Sequence, residues 1–225
     1  MEHTIVRETW LSRRLDSLPV TVAAMATMTL FFGSLFYWRD SWSAQLWMPA
    51  SFAAVFGQHE WWRAWSTLLV HENLRHVLSN SLLFFIVGIF LNGYFGLLVF
   101  PLAAFFFGGV TNLIVLQTMP ETVQLIGASG IVFWMGGCWL ALYFFLDRRK
   151  SLPQRALRAL GVALVLFMPA EAFDPSISYK AHGVGFILGV VFGLLLYLWQ
   201  SAKFHAAEVI EIELEYDAER ETGTI

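Results

Sequence analysis

Six stretches dominated by apolar residues recur along the chain, at 20–38, 68–91, 97–118, 126–146, 156–172 and 181–199, separated by polar or Gly/Pro-marked breaks. A helix needs about 20 mostly apolar residues to cross the hydrocarbon of a bilayer, so the pattern predicts an all-α polytopic membrane protein with a bundle of six transmembrane helices. The fifth stretch is short, and the second carries His76, Ser79, Asn80 and Ser81, so these two rest on less hydropathy than the others. The first is too long for a signal peptide, and Phe36-Tyr37-Trp38-Arg39 stands where a cleavage site needs small residues. It is therefore read as a membrane anchor. The expected organisation is an N-terminal segment over 1–19, a six-span domain over 20–200 with a long loop over 39–66, and an acidic tail over 201–225.

Six crossings put both termini on one side, and the distribution of Lys and Arg chooses that side. Arg7, Arg13, Arg14, Arg148, Arg149, Lys150, Arg155, Arg158, Lys203 and Arg220 fall with the termini, against Arg39, Arg63, Arg75 and Lys180 opposite. Both ends are thus expected in the cytoplasm. Spans two, four and six would then run from outside to inside, and residues near their starts could meet. The 39–66 loop holds Trp42, Trp47, Trp61, Trp62 and Trp65, half of the chain's ten tryptophans, which places it at the headgroup level. Residues 208–221 are too polar to pack or insert, and a solvated tail is expected there.

Composition narrows the class of function. The 225 residues are 57% hydrophobic and 14% charged, with a mean hydropathy of +0.60, too apolar for a soluble domain of this length. A net charge of −3 offers no basic surface for a phosphate backbone, so nucleic acid is not an expected partner. The single cysteine, Cys138, lies in an apolar run and reads as a small packing residue.

A central charge in a span costs roughly 2.5–3.5 kcal/mol on insertion scales, so polar residues there ask for a partner or a task. They are clustered. The second span opens with His71 through Asn80, the fourth with Gly127-Ala128-Ser129-Gly130, and the sixth with Ala181-His182-Gly183-Val184-Gly185. All three clusters sit at outer ends. A zinc site is disfavoured, because His71 and His76 are five residues apart, about 140° around a helix, and do not share a helical face. No metal and no cofactor are expected.

Acyl transfer needs a nucleophile, a base within reach and donors aimed at the developing oxyanion. Ser129 and His182 supply the first two at matching depth. His76 and Asn80, four apart on one face, supply donors together with the Ser129 N–H at a helix start. No carboxylate is placed to orient the histidine; Asp174 is the nearest in sequence, and loop solvation explains it better. The arrangement would be a Ser-His dyad. Packing alone also accounts for Gly-x-Ser-Gly and for Ala181, Gly185, Gly189 and Gly193, spaced by four. The two readings agree, since close approach of spans four and six would bring Ser129 and His182 together.

With these residues in place, the chain resembles the rhomboid intramembrane proteases from the first span to the sixth. That family's pattern is Trp-Arg in the first loop, His-x4-His-x3-Asn, Gly-x-Ser-Gly, and Ala-His-x2-Gly-x3-Gly. Here it reads Trp62-Arg63, then His71, His76 and Asn80, then Gly127, Ser129 and Gly130, then Ala181-His182 with Gly185 and Gly189. The resemblance implies a six-transmembrane-helix rhomboid-like bundle with Ser129 as nucleophile and His182 as general base. His76, Asn80 and the Ser129 amide would line the oxyanion hole. Trp62 and Arg63 would shape the first loop, and His71 would support the site. Phe133 stands where many members have tyrosine, so stacking under His182 is retained and a hydroxyl contact is not.

The function implied is serine endopeptidase cleavage of single-span transmembrane proteins near the outer membrane face, through an acyl-enzyme, with the fifth span as the moving gate. The lipid bilayer is the expected medium, and a bacterial inner (plasma) membrane the expected location. A catalytically inactive relative that binds membrane segments is the alternative within the family. A transporter would also place polar residues in spans, but the spans show no half-to-half symmetry.

Overall fold

A computed structural model describes residues 2–167 and 179–214. Its elements, in order, are β1 (Glu2–Glu8), α1 (Leu18–Trp38), α2 (Ala44–Trp47), α3 (Arg63–Ser66), α4 (Leu74–Phe95), α5 (Ala104–Leu116), α6 (Ser129–Leu146), α7 (Leu152–Phe167), α8 (Tyr179–His205) and β2 (Val209–Leu214). Five helical segments among the described residues are long and apolar enough to cross a membrane: α1, α4, Leu98–Leu116 (which contains α5), α6 and α8. The fifth predicted stretch begins inside α7, a 16-residue helix. Its remainder, 168–172, lies outside the described residues, as does Asp174.

Local chemistry sets several boundaries that hydropathy blurs. The second predicted stretch begins at 68, but helix α4 starts at Leu74, because Asn73 is extended (φ −152°, ψ 173°) and its side chain accepts the His76 N–H at 3.0 Å. His71 therefore precedes the helix. The helical angle that separates His71 from His76 by face does not apply for that reason: their rings meet edge to face with centroids 4.9 Å apart. At the other end α4 stops at Gly96, whose φ of +81° suits glycine.

Helix α6 is the axis of the bundle, with 72% of its span buried against 22% for α1. Glycine makes that possible. A β-carbon at Gly185 would strike the Gly130 carbonyl, one at Gly189 the Trp134 carbonyl, and one at Gly137 the Phe186 carbonyl. At Gly193 it would lie 2.8 Å from the Cys138 oxygen. The two backbones touch directly. Because 130 meets 185, 134 meets 189 and 138 meets 193, α6 and α8 run parallel in matched register. Helix α4 is parallel to both, since His76 lies near Gly127 and Phe90 stacks on Trp139 with centroids 5.0 Å apart.

Within the segment expected to be a solvated acidic tail, Val209–Leu214 forms a strand. Strand β2 pairs antiparallel with β1, with Thr4 opposite Ile212 and Val6 opposite Ile210. The reason is a period-two pattern that the charges concealed: Ile210 and Ile212 share one face, while Glu211 and Glu213 share the other and bond Arg7 at 2.5 and 2.8 Å. Below this ribbon Trp10 packs edge-on against Phe204 (5.2 Å), and its indole N–H bonds the Tyr94 carbonyl at 3.0 Å. Both chain ends thus close the same end of the bundle.

Substituting Gly189→Ala forces a methyl group onto the Trp134 carbonyl and should destabilise the protein by about 1–3 kcal/mol. Thermal unfolding in detergent measures this. An unchanged melting temperature would contradict the backbone contact.

Candidate active site

The turn before α6 is held by hydrogen bonds from several other parts of the chain. Leu125 exchanges two backbone hydrogen bonds with Ala50 (2.7 and 3.2 Å), and its carbonyl also accepts the Thr67 hydroxyl. The Gly127 N–H reaches the Thr67 carbonyl at 3.1 Å. Next, the Ala128 N–H donates to His71 Nε2 at 3.2 Å. Three of the four residues 125–128 are therefore held by the 39–71 region, and Ser129 follows as the first residue of α6. Thr67 is fully buried. Sequence reading missed it and Ala50, because neither residue type carries a chemical signature and their partners are backbone atoms.

Gly127 adopts φ +113°, a conformation that β-carbons resist. A β-carbon there would also lie 2.9 Å from the His76 ring and 3.9 Å from Asn80 Nδ2. His76 and Asn80, one helical turn apart on α4, thus converge on the turn that delivers Ser129. Asn80 is 8% exposed, and its Nδ2 is buried with no hydrogen-bond partner among the described residues. A buried amide donor left open costs about 1–3 kcal/mol and invites an acceptor.

His182 sits in the first turn of α8, 7% exposed, with its ring stacked flat on Phe133 (centroids 4.0 Å apart, planes at 8°). Stacking without a hydroxyl is what the sequence led us to expect. Tyr179 approaches the same ring edge-on at 6.1 Å. Gly185, one turn below His182, contacts the carbonyl of Gly130, the residue after Ser129. The serine and the histidine therefore sit at the same level of two touching helices. No hydrogen bond joins them among the described residues, and catalytic hydrogen bonds are often long before substrate is bound.

The serine–histidine hydrogen bond that does form is elsewhere. Ser34 Oγ lies 2.9 Å from His71 Nδ1. His71 Nε2 accepts the Ala128 N–H, which assigns the ring proton to Nδ1; Nδ1 donates to Ser34, and Ser34 donates to the Leu30 carbonyl at 2.8 Å. A ring whose Nδ1 already carries its proton cannot take one from Ser34. Both residues are fully buried, so this pair is a tie between α1 and the Ser129 turn.

Arg63 lies on α3 and bonds Glu60 (2.5 Å), the Leu46 carbonyl (2.6 Å) and the Pro49 carbonyl (3.3 Å), holding the first loop closed. Trp62 is 53% exposed beside it, and Trp42 is 87% exposed. Asn112 of α5, another residue without a sequence signal, ties α3 to the bundle through the Ala64 carbonyl at 2.8 Å. Gly130 and Gly189 serve the α6–α8 contact. No group of three or more His, Cys, Asp or Glu side chains fit to hold a metal occurs among the described residues.

These parallel helices, with a serine turn, a stacked histidine and an open amide at one end, define a polytopic helical membrane protein. A Rhomboid domain model matches residues 58–199, and the chain belongs to the rhomboid family. It is similar to the protein named Putative rhomboid protease YdcA of Bacillus subtilis (strain 168), at 25% identity over 178 residues that cover 77% of this chain and 85% of that protein.

Replacing His71 by Leu strands the buried Ala128 N–H and should cost about 1–3 kcal/mol, whereas His71→Gln keeps an acceptor and should cost less. Denaturant unfolding of the two variants separates them. Equal losses would mean that the ring only fills space.

Proposed function

We propose that this protein is an intramembrane serine endopeptidase that cleaves transmembrane substrates near the outer membrane face. The observation that supports the reading is the α6–α8 register, in which Gly185 lies on Gly130, so that Ser129 and the Phe133-stacked His182 begin touching helices at one level, with the open Asn80 amide near Gly127 of the same turn. In this reading His182 takes the Ser129 hydroxyl proton as Oγ attacks the scissile carbonyl. The oxyanion receives hydrogen bonds from the Ser129 N–H, Asn80 Nδ2 and His76. The imidazolium then returns the proton to the leaving amine, leaving an ester on Ser129. Water, deprotonated by the same imidazole, hydrolyses that ester and restores the serine. The face of Phe133 lies under the ring while it is cationic and fixes its plane.

The membrane arrangement follows from the same reading. Pairing of β1 with β2 supports an even number of crossings, and α7 supplies the sixth. The excess of Lys and Arg on the terminus side supports cytoplasmic ends and an outward-facing site. A substrate helix must unwind locally to expose a carbonyl to Ser129, so small, weakly helical residues at the cut fit this site best.

In liposomes carrying a single-span model substrate, wild type should release product and Ser129→Ala should not; product from both would remove the assignment. Asn80→Ala should lower kcat by about 10²–10³-fold with little change in KM. Activity should fall as pH drops through the imidazole titration, because protonated His182 cannot accept the serine proton. A rate that rises on acidification would contradict the role of His182.

A further inference from the structure

A concavity lies on the bundle's flank, away from the Ser129 turn. It is an open groove of about 370 Å³ between α6, α7 and α8, lined wholly by apolar side chains that include Leu140, Ala141 and Phe144 of α6, Ala159 and Ala163 of α7, and Val190 of α8. Its size falls within the range of ligand sites, about 300–1,000 Å³. An apolar groove on the flank of a membrane helix bundle takes hydrocarbon, and by itself it would not choose among lipids.

The end of the groove nearest the chain termini does choose. Arg155 precedes Ala159 and Ala163 by one and two turns, so it lies on the same face of α7 as the groove wall. Its Nη1 donates to the Phe144 carbonyl at 2.8 Å, and its guanidinium stands 5.5 Å from the Phe144 ring centroid. Its Nε–H is buried and has no partner among the described residues. One turn on, Arg158 reaches the Tyr143 hydroxyl at 3.4 Å. The carboxylates in this region are already taken: Asp147 bonds Arg149 at 2.7 Å, and Glu208 bonds Arg148 at 3.1 Å. Neither Arg155 nor Arg158 has an acidic partner within salt-bridge distance among the described residues. The preference for positive residues on the cytoplasmic side explains why arginines occur here, but it does not explain a guanidinium half-buried against a groove wall with an unmade N–H.

We propose that this groove binds an anionic glycerophospholipid of the surrounding bilayer. One acyl chain lies along Ala163, Ala159 and Phe144, and the phosphate is received by Arg155 and Arg158. A guanidinium fork matches phosphate oxygens in pairs, and the phosphate supplies both the acceptor that Arg155 Nε lacks and a negative charge within ion-pair distance, which no described side chain supplies. A bound lipid would also fill the gap between α7 and α8 and brace α7 against the bundle.

Melting of the purified protein in a neutral detergent tests this, with added phosphatidylglycerol, phosphatidylcholine or inorganic phosphate. Phosphatidylglycerol should raise the melting temperature saturably, and the other two should not. The exposed-site variant Arg158→Gln and the double variant Arg155→Gln/Arg158→Gln should weaken the response progressively, the double variant by about tenfold or more in half-saturating concentration. Ala159→Phe, which fills the groove and keeps both arginines, should weaken it as well. Native mass spectrometry of wild type should show retained phosphatidylglycerol, which does not depend on any variant folding. Equal responses to the two lipids, a response to phosphate alone, or a wild-type response in Arg158→Gln and Ala159→Phe would overturn the proposal. So would a crosslinker at Leu160 that captures a substrate span with the same yield whether or not phosphatidylglycerol is present.

Discussion

The architecture depends on the direct contact of two helix backbones. Where α8 lays Gly185, Gly189 and Gly193 on the carbonyls of Gly130, Trp134 and Cys138, no side chain separates the chains, and the contact admits no sliding by one residue. In a bilayer, apolar side chains gain little by leaving lipid for one another, so close packing must fix what the hydrophobic effect fixes in water. The register of these glycines is therefore also the register of the site. Ser129 precedes the first carbonyl in the series and His182 precedes the first glycine.

Around that axis the protein holds one turn unusually firmly. Ala50, Thr67 and His71 each bond the turn that leads into α6, and His71 passes the restraint on to Ser34 of α1. In the proposed mechanism the backbone N–H of Ser129 and the Gly127 conformation are thereby set before any substrate arrives. Groups aimed in advance at where charge will develop need not reorganise during reaction, and this is the usual source of electrostatic rate enhancement. In the proposed mechanism the cost of holding an unpartnered Asn80 amide in a buried site belongs to the same preorganisation.

Much of this was legible in the sequence, for a definable reason. Spans need long apolar runs, and five of the six stretches reappear as helices of crossing length, because nothing else satisfies the backbone in hydrocarbon. Ser129, His182, His76 and Asn80 stood out because polar groups are rare in such runs, and the structure gathers them at one end. Residues that act through backbone atoms left no such trace. Thr67 and Ala50 look ordinary in sequence, and their partners are the N–H and carbonyl groups of a distant turn. The His71–His76 contact was misjudged because a helical angle was applied to a residue that precedes the helix. The terminal ribbon is hidden in the sequence because Glu211 and Glu213 mask the alternation of Ile210 and Ile212.

One serine–histidine pair is hydrogen-bonded in this molecule and another is proposed, and chemistry separates them. Ser34 and His71 are sealed and hydrogen-bonded, while Ser129 and His182 begin two touching helices beside the turn that the open Asn80 amide adjoins. Mass-spectrometric mapping of the adduct formed by a fluorophosphonate distinguishes the two directly. The account predicts a single covalent adduct on Ser129, lost in His182→Ala and retained in Ser34→Ala. An adduct on Ser34, or one on Ser129 that survives loss of His182 undiminished, would contradict it.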